Sequence, residues 1–288
     1  MVGRWMFFSS VLCLALTPMA RAPIAMATER LPADDAKTVF LTGHVTAIID
    51  GQTVALNQGD QLRLVGIDIP PGENDKAMAA LKSLVGGREV QLVSAGPQRD
   101  RWRRLVAQVV RTDGLWIQGQ LVRDGIVRVA GDADHRRLLT ELLHLEDQAR
   151  QDHAGIWANK DFQPHRAGFM PRATGSFEIV EGTVISAAIV GGRGYLNFGE
   201  DRRRDFTVAA EPEILRVFTK SGIDWQGYQG RQVRVRGHVG FFDGPRIDVT
   251  YPEQIELMEK TPSLAIQPQR MDDPSGDAGR DPSEAERP

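Results

Sequence analysis

The chain has almost no cysteine. Its 288 residues contain one, Cys13, within an apolar stretch near the N-terminus. The rest of the chain therefore has no disulfide, thiolate nucleophile or cysteine metal site, and its stability must come from packed cores. Aromatic residues make up 7% and the formal charge is only −3. No global field draws the chain to nucleic acid, so any such binding must rest on local patches. An apolar run long enough to span a bilayer as a helix is also missing, because the segment from Met6 to Leu16 is too short. Arg4 precedes that segment and Ala25-Met26-Ala27 follows it. The pattern reads as a signal peptide over residues 1–27, cut after Ala27. The expectation is a periplasmic or secreted protein with no integral membrane span after cleavage, and Cys13 leaves with the signal.

What is present is a repeated order of elements. After a polar lead-in, 28–38, residues 39–49 read as a long strand. Asp50-Gly51 is expected to form a type I′ hairpin turn, whose two central residues need positive φ. Asn57-Gln58-Gly59-Asp60 supplies a second turn. A three-stranded meander results, with Arg63 on its third strand and Asp68 just past that strand's end. Residues 73–85 carry Ala77, Met78, Leu81, Leu84 and Val85 at helical spacing, stopped by Gly86-Gly87. Strands over 89–93 and 104–111 follow, then a short helix over 116–122. A longer helix carries Leu138, Leu142, Leu145 and Ala149 on one stripe, with Asp132 or Asp134 expected as its cap. Strand-strand-strand-helix-strand-strand is the order of an OB-fold, a five-stranded barrel.

Residues 159–176, punctuated by Pro164, Gly168, Pro171 and Gly175, read as a linker. The same order then recurs over 177–259: a strand over 177–189, two more around Tyr195 and Val208, a helix opened by Pro212, and two strands around Asp243-Gly244. Residues 260–288 are rich in Pro, Asp, Glu, Gly and Ser without aromatics, the composition of a disordered tail. The fold class expected is mainly β with packed helices (α+β), as two OB-fold barrels.

Residues 39–158 resemble the staphylococcal nuclease (thermonuclease) family. The marks are Asp50-Gly51-Gln52-Thr53, Arg63-Leu64-Val65-Gly66-Ile67-Asp68-Ile69-Pro70, Asp100-Arg101-Trp102-Arg103-Arg104, Leu121-Val122-Arg123-Asp124-Gly125, and Glu146 with Ala149-Arg150 and Gly155-Ile156-Trp157. Each is weak alone, whereas their order and spacing together are specific. The resemblance implies that Arg63 and Arg104 clamp a phosphate and stabilise its developing charge. It also implies a calcium site from Asp50, Gln52, Asp68 and the Ile69 carbonyl, since Ca²⁺ takes several oxygens, preferably anionic.

Two positions depart from the family pattern. Gln52 stands where the family has a metal carboxylate, which weakens the calcium site. Pro71 stands where the family has the glutamate that activates water, and proline does no general-base chemistry. Glu73, two residues on, is a substitute only if its reach allows. Arg103 and Trp102 replace the family's glycine and tyrosine.

Arg101, Trp102 and Arg103, beside Arg99 and Arg104, have the composition of a single-strand platform. The alternative is a solvated loop with Trp102 plugging the barrel. Arg202, Arg203 and Arg204, with Arg231, Arg234 and Arg236, either line a groove in the second barrel or form its wet face. Three functions stay open: a degenerate thermonuclease that binds nucleic acid or another anionic ligand, a weak calcium-dependent phosphodiesterase, and an interaction module with a protein partner in the cell envelope.

Overall fold

The computed structural model describes residues 28–33, 38–169, 175–201 and 204–258. The chain divides into two units between Gln163 and Pro164. The expected signal peptide and tail, and Arg202 and Arg203, lie outside the described residues. Among the described residues no helix is long and apolar enough to cross a membrane.

In the first unit, β1 (Val39–Asp50), β2 (Thr53–Leu56), β3 (Gln61–Leu64), β4 (Ile67–Asp68), α1 (Asn74–Val85), β5 (Glu89–Val93), β6 (Leu105–Arg111), α2 (Ile117–Arg123), β7 (Arg128–Val129) and α3 (Leu139–Gln151) follow in order. A barrel closes in the order β1-β2-β3-β6-β5. The long β1 pairs with β2 at one end and β5 at the other, with register shifts at Val45/Ala47 and Ile48/Asp50. Such irregularities bend a strand enough to serve two neighbours. Closure comes from the parallel pair β3 and β6, with Arg63 opposite Val106. β6 is buried over nearly its whole length. A strand covered on both faces reads as a near-continuous apolar run rather than an alternation, as residues 105–110 do apart from the buried Gln108. Helix α1 buries Ala77, Leu81 and Val85, and α3 buries Leu142, Leu145 and Ala149.

Three local expectations for this unit change. The turn after β1 is not type I′, because neither Asp50 nor Gly51 has positive φ. Glycine is needed at 51 for space: a Cβ there would stand 2.5 Å from the Ala77 Cβ and 2.6 Å from Ile69 Cδ1. Neither Asp132 nor Asp134 caps α3, which starts after Leu138 in a left-handed conformation (φ 69°). Asp132 Oδ1 instead accepts from the Asp134 and His135 backbone N–H groups at 2.9 Å. The sequence also hides β4 and β7, a two-residue ladder in which Ile67 faces Val129 and Asp68 faces Arg128.

The second unit contains β8 (His165–Arg166), β9 (Phe177–Thr183), β10 (Ser186–Val190), β11 (Arg193–Asn197), β12 (Thr207–Ala210), α4 (Pro212–Lys220), β13 (Gln232–Phe241), β14 (Pro245–Val249) and β15 (Ile255–Leu257). The expected strand over 177–189 is broken at Val184-Ile185 into β9 and β10, which take different neighbours. The path runs β10-β11-β12-β14-β13-β9 and so returns to the other half of the first strand. The pair β12 with β14 is parallel, like β3 with β6, and α4 again precedes the fourth strand. This is the OB order in a second sequence. The linker expectation needs correcting at one place, because β8 joins β9 in parallel. The core gathers Val180, Leu196, Phe206, Val208, Phe218, Val235 and Ile247.

Candidate functional site

Arg63 sits on β3, paired in register with Thr53 of β2 and Val106 of β6. Its side chain is half-buried. Burial and then the neighbouring Arg104 push its pKa below the ordinary arginine value, while Asp50, Asp100 and Asp68 pull the other way. Salt bridges and side-chain hydrogen bonds engage most of the surrounding arginines, but none forms to Arg63 among the described residues. A half-buried guanidinium beside a second cation, with acids near but not in contact, has the chemistry of an anion site.

Arg104 is held differently. Residues 98–106 form a hairpin: Val106 N–H donates to the Gln98 carbonyl at 3.0 Å, and Asp100 N–H to the Arg104 carbonyl at 3.0 Å. Asp100 organises its tip. Its Oδ1 accepts from the Trp102 and Arg104 N–H groups at 3.0 and 2.9 Å, and its Oδ2 from Arg104 Nε at 2.8 Å. Burial raises the Asp100 carboxyl, but these bonds from Arg104 and Trp102 outweigh it and hold the pKa below the usual carboxylate value. Arg103 takes the left-handed conformation at φ 67°. The backbone thus keeps a glycine-like turn without glycine, at a cost of about 1–2 kcal/mol. Arg99 Nη1 ties the hairpin to the β2–β3 turn, donating to Asp60 Oδ1 at 3.0 Å and to the Arg103 carbonyl at 2.7 Å.

Trp102 does not plug the barrel. It is 62% exposed, with the Arg101 guanidinium 3.9 Å and the Arg104 guanidinium 5.0 Å from its ring centroid. An exposed aromatic face flanked by arginines is a surface on which a base can stack.

The residues assigned to calcium are occupied otherwise. Asp50 Oδ1 accepts from the Gln52 N–H at 2.8 Å. Gln52 is 8% exposed and its Nε2 donates to the carbonyls of Leu64 (3.3 Å) and Ile67 (3.2 Å). Two acceptors require a donor there, and a carboxylate has none to give. Asp68 Oδ2 accepts from Arg128 Nε at 2.8 Å, so one of its two carboxylate oxygens is already paired with a cation of the chain. Ile69 follows Asp68 with its side chain against Gly51. Among the described residues the buried Thr53 hydroxyl finds no hydrogen-bond partner, but a neutral oxygen does not replace a carboxylate. Among the described residues no three His, Cys, Asp or Glu side chains converge as a metal site would require. This donor set does not fit Ca²⁺, which prefers several anionic oxygens.

Among the described residues Glu73 makes no hydrogen bond or salt bridge to Arg63 or Asp68. Its carboxylate pairs with Lys76 Nζ at 2.8 Å, and it lines a small cavity with Gly125, Ile156 and Phe162. In the second unit, Arg234 and Arg236 are neither groove nor wet face. Arg236 is 1% exposed and pairs with Glu256 at 2.6 Å, and Arg234 pairs with Glu181 at 2.7 Å. Arg204 is exposed at the β11–β12 tip.

Sequence reasoning missed Arg128 and Asp100 as parts of the site. Arg128 left a trace, since an arginine between Val127 and Val129 in an apolar run needs a counter-ion when it is buried.

Residues 61–159 match the staphylococcal nuclease homologue family. Proteins named uncharacterized endonuclease from Escherichia coli O157:H7 and Escherichia coli are each 31% identical over 128 residues, spanning 42% of this chain and 80% of the relative. A Bacillus anthracis protein named only as uncharacterized is 31% identical over 134 residues, or 62% of its own length. A closed five-stranded barrel, an arginine pair at its β3–β6 edge and relatives matched over most of their length agree: the chain belongs to the staphylococcal nuclease homologue family.

Proposed function

We propose that the first unit binds single-stranded nucleic acid through its phosphodiester backbone at Arg63 and Arg104, and does not hydrolyse it with calcium. The observation that carries this reading is the half-buried guanidinium of Arg63 next to Arg104, with no hydrogen bond or salt bridge to it among the described residues. Trp102 supplies a stacking face beside the phosphate position, which favours single strands over duplex. Loss of cutting is supported by Pro71 at the general-base position, by Gln52 facing carbonyls and by Arg128 on Asp68. Removing general-base assistance alone costs roughly 10²–10⁴ in rate.

The basic and apolar N-terminal pattern ending at Ala25-Met26-Ala27 supports export of the chain, so the nucleic acid met would be extracellular or periplasmic. A second reading, a calcium-dependent nuclease, is favoured by the endonuclease names of the Escherichia coli relatives.

The two readings separate in one assay. A labelled single-stranded oligonucleotide is incubated with the protein and calcium, with and without chelator, while anisotropy reports binding and gel electrophoresis reports cleavage. Salt-sensitive binding without turnover, abolished in Arg63→Ala and Arg104→Ala, is expected. Chelator-sensitive cleavage would overturn the proposal in favour of the nuclease.

A further inference from the structure

His135 is buried, at 7% exposure, and both of its ring nitrogens meet acceptors. Nδ1 lies 2.8 Å from Asp132 Oδ1 and 3.1 Å from Oδ2, and Nε2 lies 2.8 Å from the Pro97 carbonyl. A neutral imidazole has one N–H and one lone pair. It would therefore turn a lone pair on either a carboxylate or a carbonyl, and only the imidazolium satisfies both. Pro97 stands at the base of the hairpin that carries Asp100, Trp102 and Arg104. The next residue, Gln98, accepts from Val106 N–H in the hairpin's first rung. The same base is tightly packed, since a Cβ on Gly96 would stand 2.0 Å from the Asp134 carbonyl oxygen. Ser94 Oγ reaches the Gly96 carbonyl at 3.1 Å.

We propose that His135, as an imidazolium bridging Asp132 and the Pro97 carbonyl, is a positioning residue that latches the arginine hairpin and so makes ligand binding at Arg104 depend on pH. The inference rests on the phosphate-cleft reading for its ligand, but the latch itself needs no ligand.

The charged groups bearing on His135 are Asp132 and Asp134 from its own loop, while the hairpin presents the Pro97 carbonyl. The hydrogen bond to Asp132, opposed by burial and aided by the Pro97 carbonyl, raises its pKa above 6.5. A group whose folded pKa is raised contributes fully below its unfolded value and loses that contribution as pH rises through the folded one. The hairpin is thus latched in mildly acidic solution. It loosens above the raised pKa, where one nitrogen must oppose an acceptor. A second tether, Arg99 to Asp60, also holds the hairpin tip.

The test uses the full chain, a labelled oligothymidylate as probe, and the variants His135→Gln and His135→Ala. Hydrogen-exchange protection factors of the Arg103, Arg104 and Val106 amides report the hairpin without ligand. Across the titration of His135, protection in the native chain is expected to fall about tenfold, the size of one hydrogen bond to a charged group. Oligonucleotide affinity is expected to fall in step. In His135→Gln, whose amide can hold the Pro97 carbonyl at any pH, both profiles are expected to be flat. In His135→Ala protection is expected to be low throughout. Native protection that does not respond to pH, or the same response in His135→Gln, would overturn the latch. A hairpin that responds without any oligonucleotide binding would support the latch while refuting the phosphate-cleft reading.

Discussion

Arg128 Nε donates to Asp68 Oδ2 at 2.8 Å across the β4–β7 ladder. The carboxylate that the family resemblance assigns to calcium is therefore held by a cation of the chain itself. Arg128 is 9% exposed at its side chain and Asp68 31%, so the pair is only partly screened by water. Replacing Arg128 with Gln is expected to lower the free energy of unfolding by about 2 kcal/mol in urea denaturation, within the range for a charge-assisted hydrogen bond. Calcium on the order of 1 mM, the range of weak extracellular sites, is expected to leave the native midpoint unmoved. A calcium-dependent rise in the native chain would show that the arginine does not keep the metal out.

Gln52 makes an opposite demand on the same turn. Its amide faces two carbonyls, so the isosteric Gln52→Glu variant brings a negative charge against both. A loss of about 3 kcal/mol is expected at neutral pH, because a buried charge without a partner costs more than a broken neutral bond. Burial and repulsion raise the carboxyl pKa in the folded state, so the loss should shrink as pH falls and the introduced acid takes up a proton. Denaturation of the variant and native chain from neutral to acidic pH checks this. A penalty that grows on acidification would contradict it.

Arg63 should separate stability from function. Its guanidinium is half-buried and makes no salt bridge or hydrogen bond among the described residues, so Arg63→Met is expected to leave stability unchanged or raise it by up to about 1 kcal/mol, as is common where a site is held for function. Oligonucleotide affinity should fall in the same variant. The salt dependence of its binding should weaken by about 0.7 in slope, the effect of neutralising one phosphate fewer on a single strand. Calorimetric or urea stability read beside anisotropy decides it, and a large stability loss would mean that Arg63 is structural.

Arg103 carries the backbone cost of its hairpin. At φ 67°, Arg103→Gly is expected to stabilise the fold by about 0.5 kcal/mol, the relief of strain less glycine's greater entropy when unfolded. Arg103→Val, with a β-branched side chain that tolerates this conformation poorly, should destabilise it. Urea midpoints of the two variants are expected to move in opposite directions.

Much of the fold is legible in the sequence because its signals are local. The alternation of β1, the 3–4 spacing of α1 and the turn residues at 57–60 each act within a few positions. Their order is enough to identify the barrel. The pieces that escape are those whose cause lies elsewhere in the chain. β4 and β7 are two residues each and exist only because they pair with one another. Leu138 ends its loop in a left-handed conformation because α3 starts several residues later than the aspartates, and Asp132 is engaged by His135 instead. Gly51 matters for a reason that no local pattern shows, since the space a side chain would need is taken by α1 and Ile69. The break between β9 and β10 follows from their pairing, since β9 joins β13 and β8 while β10 joins β11.

Residue type and short-range periodicity need no distant partner to be read. They suffice for the element order, the two OB-type units, the arginines at 63 and 104, and the absence of the family's acids at 52 and 71. Which charges meet is a property of the folded chain alone. Asp68 and Arg128 are sixty residues apart in the chain, and His135 reaches a carbonyl thirty-eight residues before it. Those contacts exist only once the barrel has closed and α3 has packed, since the positions of side chains distant in sequence are set by the whole backbone rather than by their neighbours.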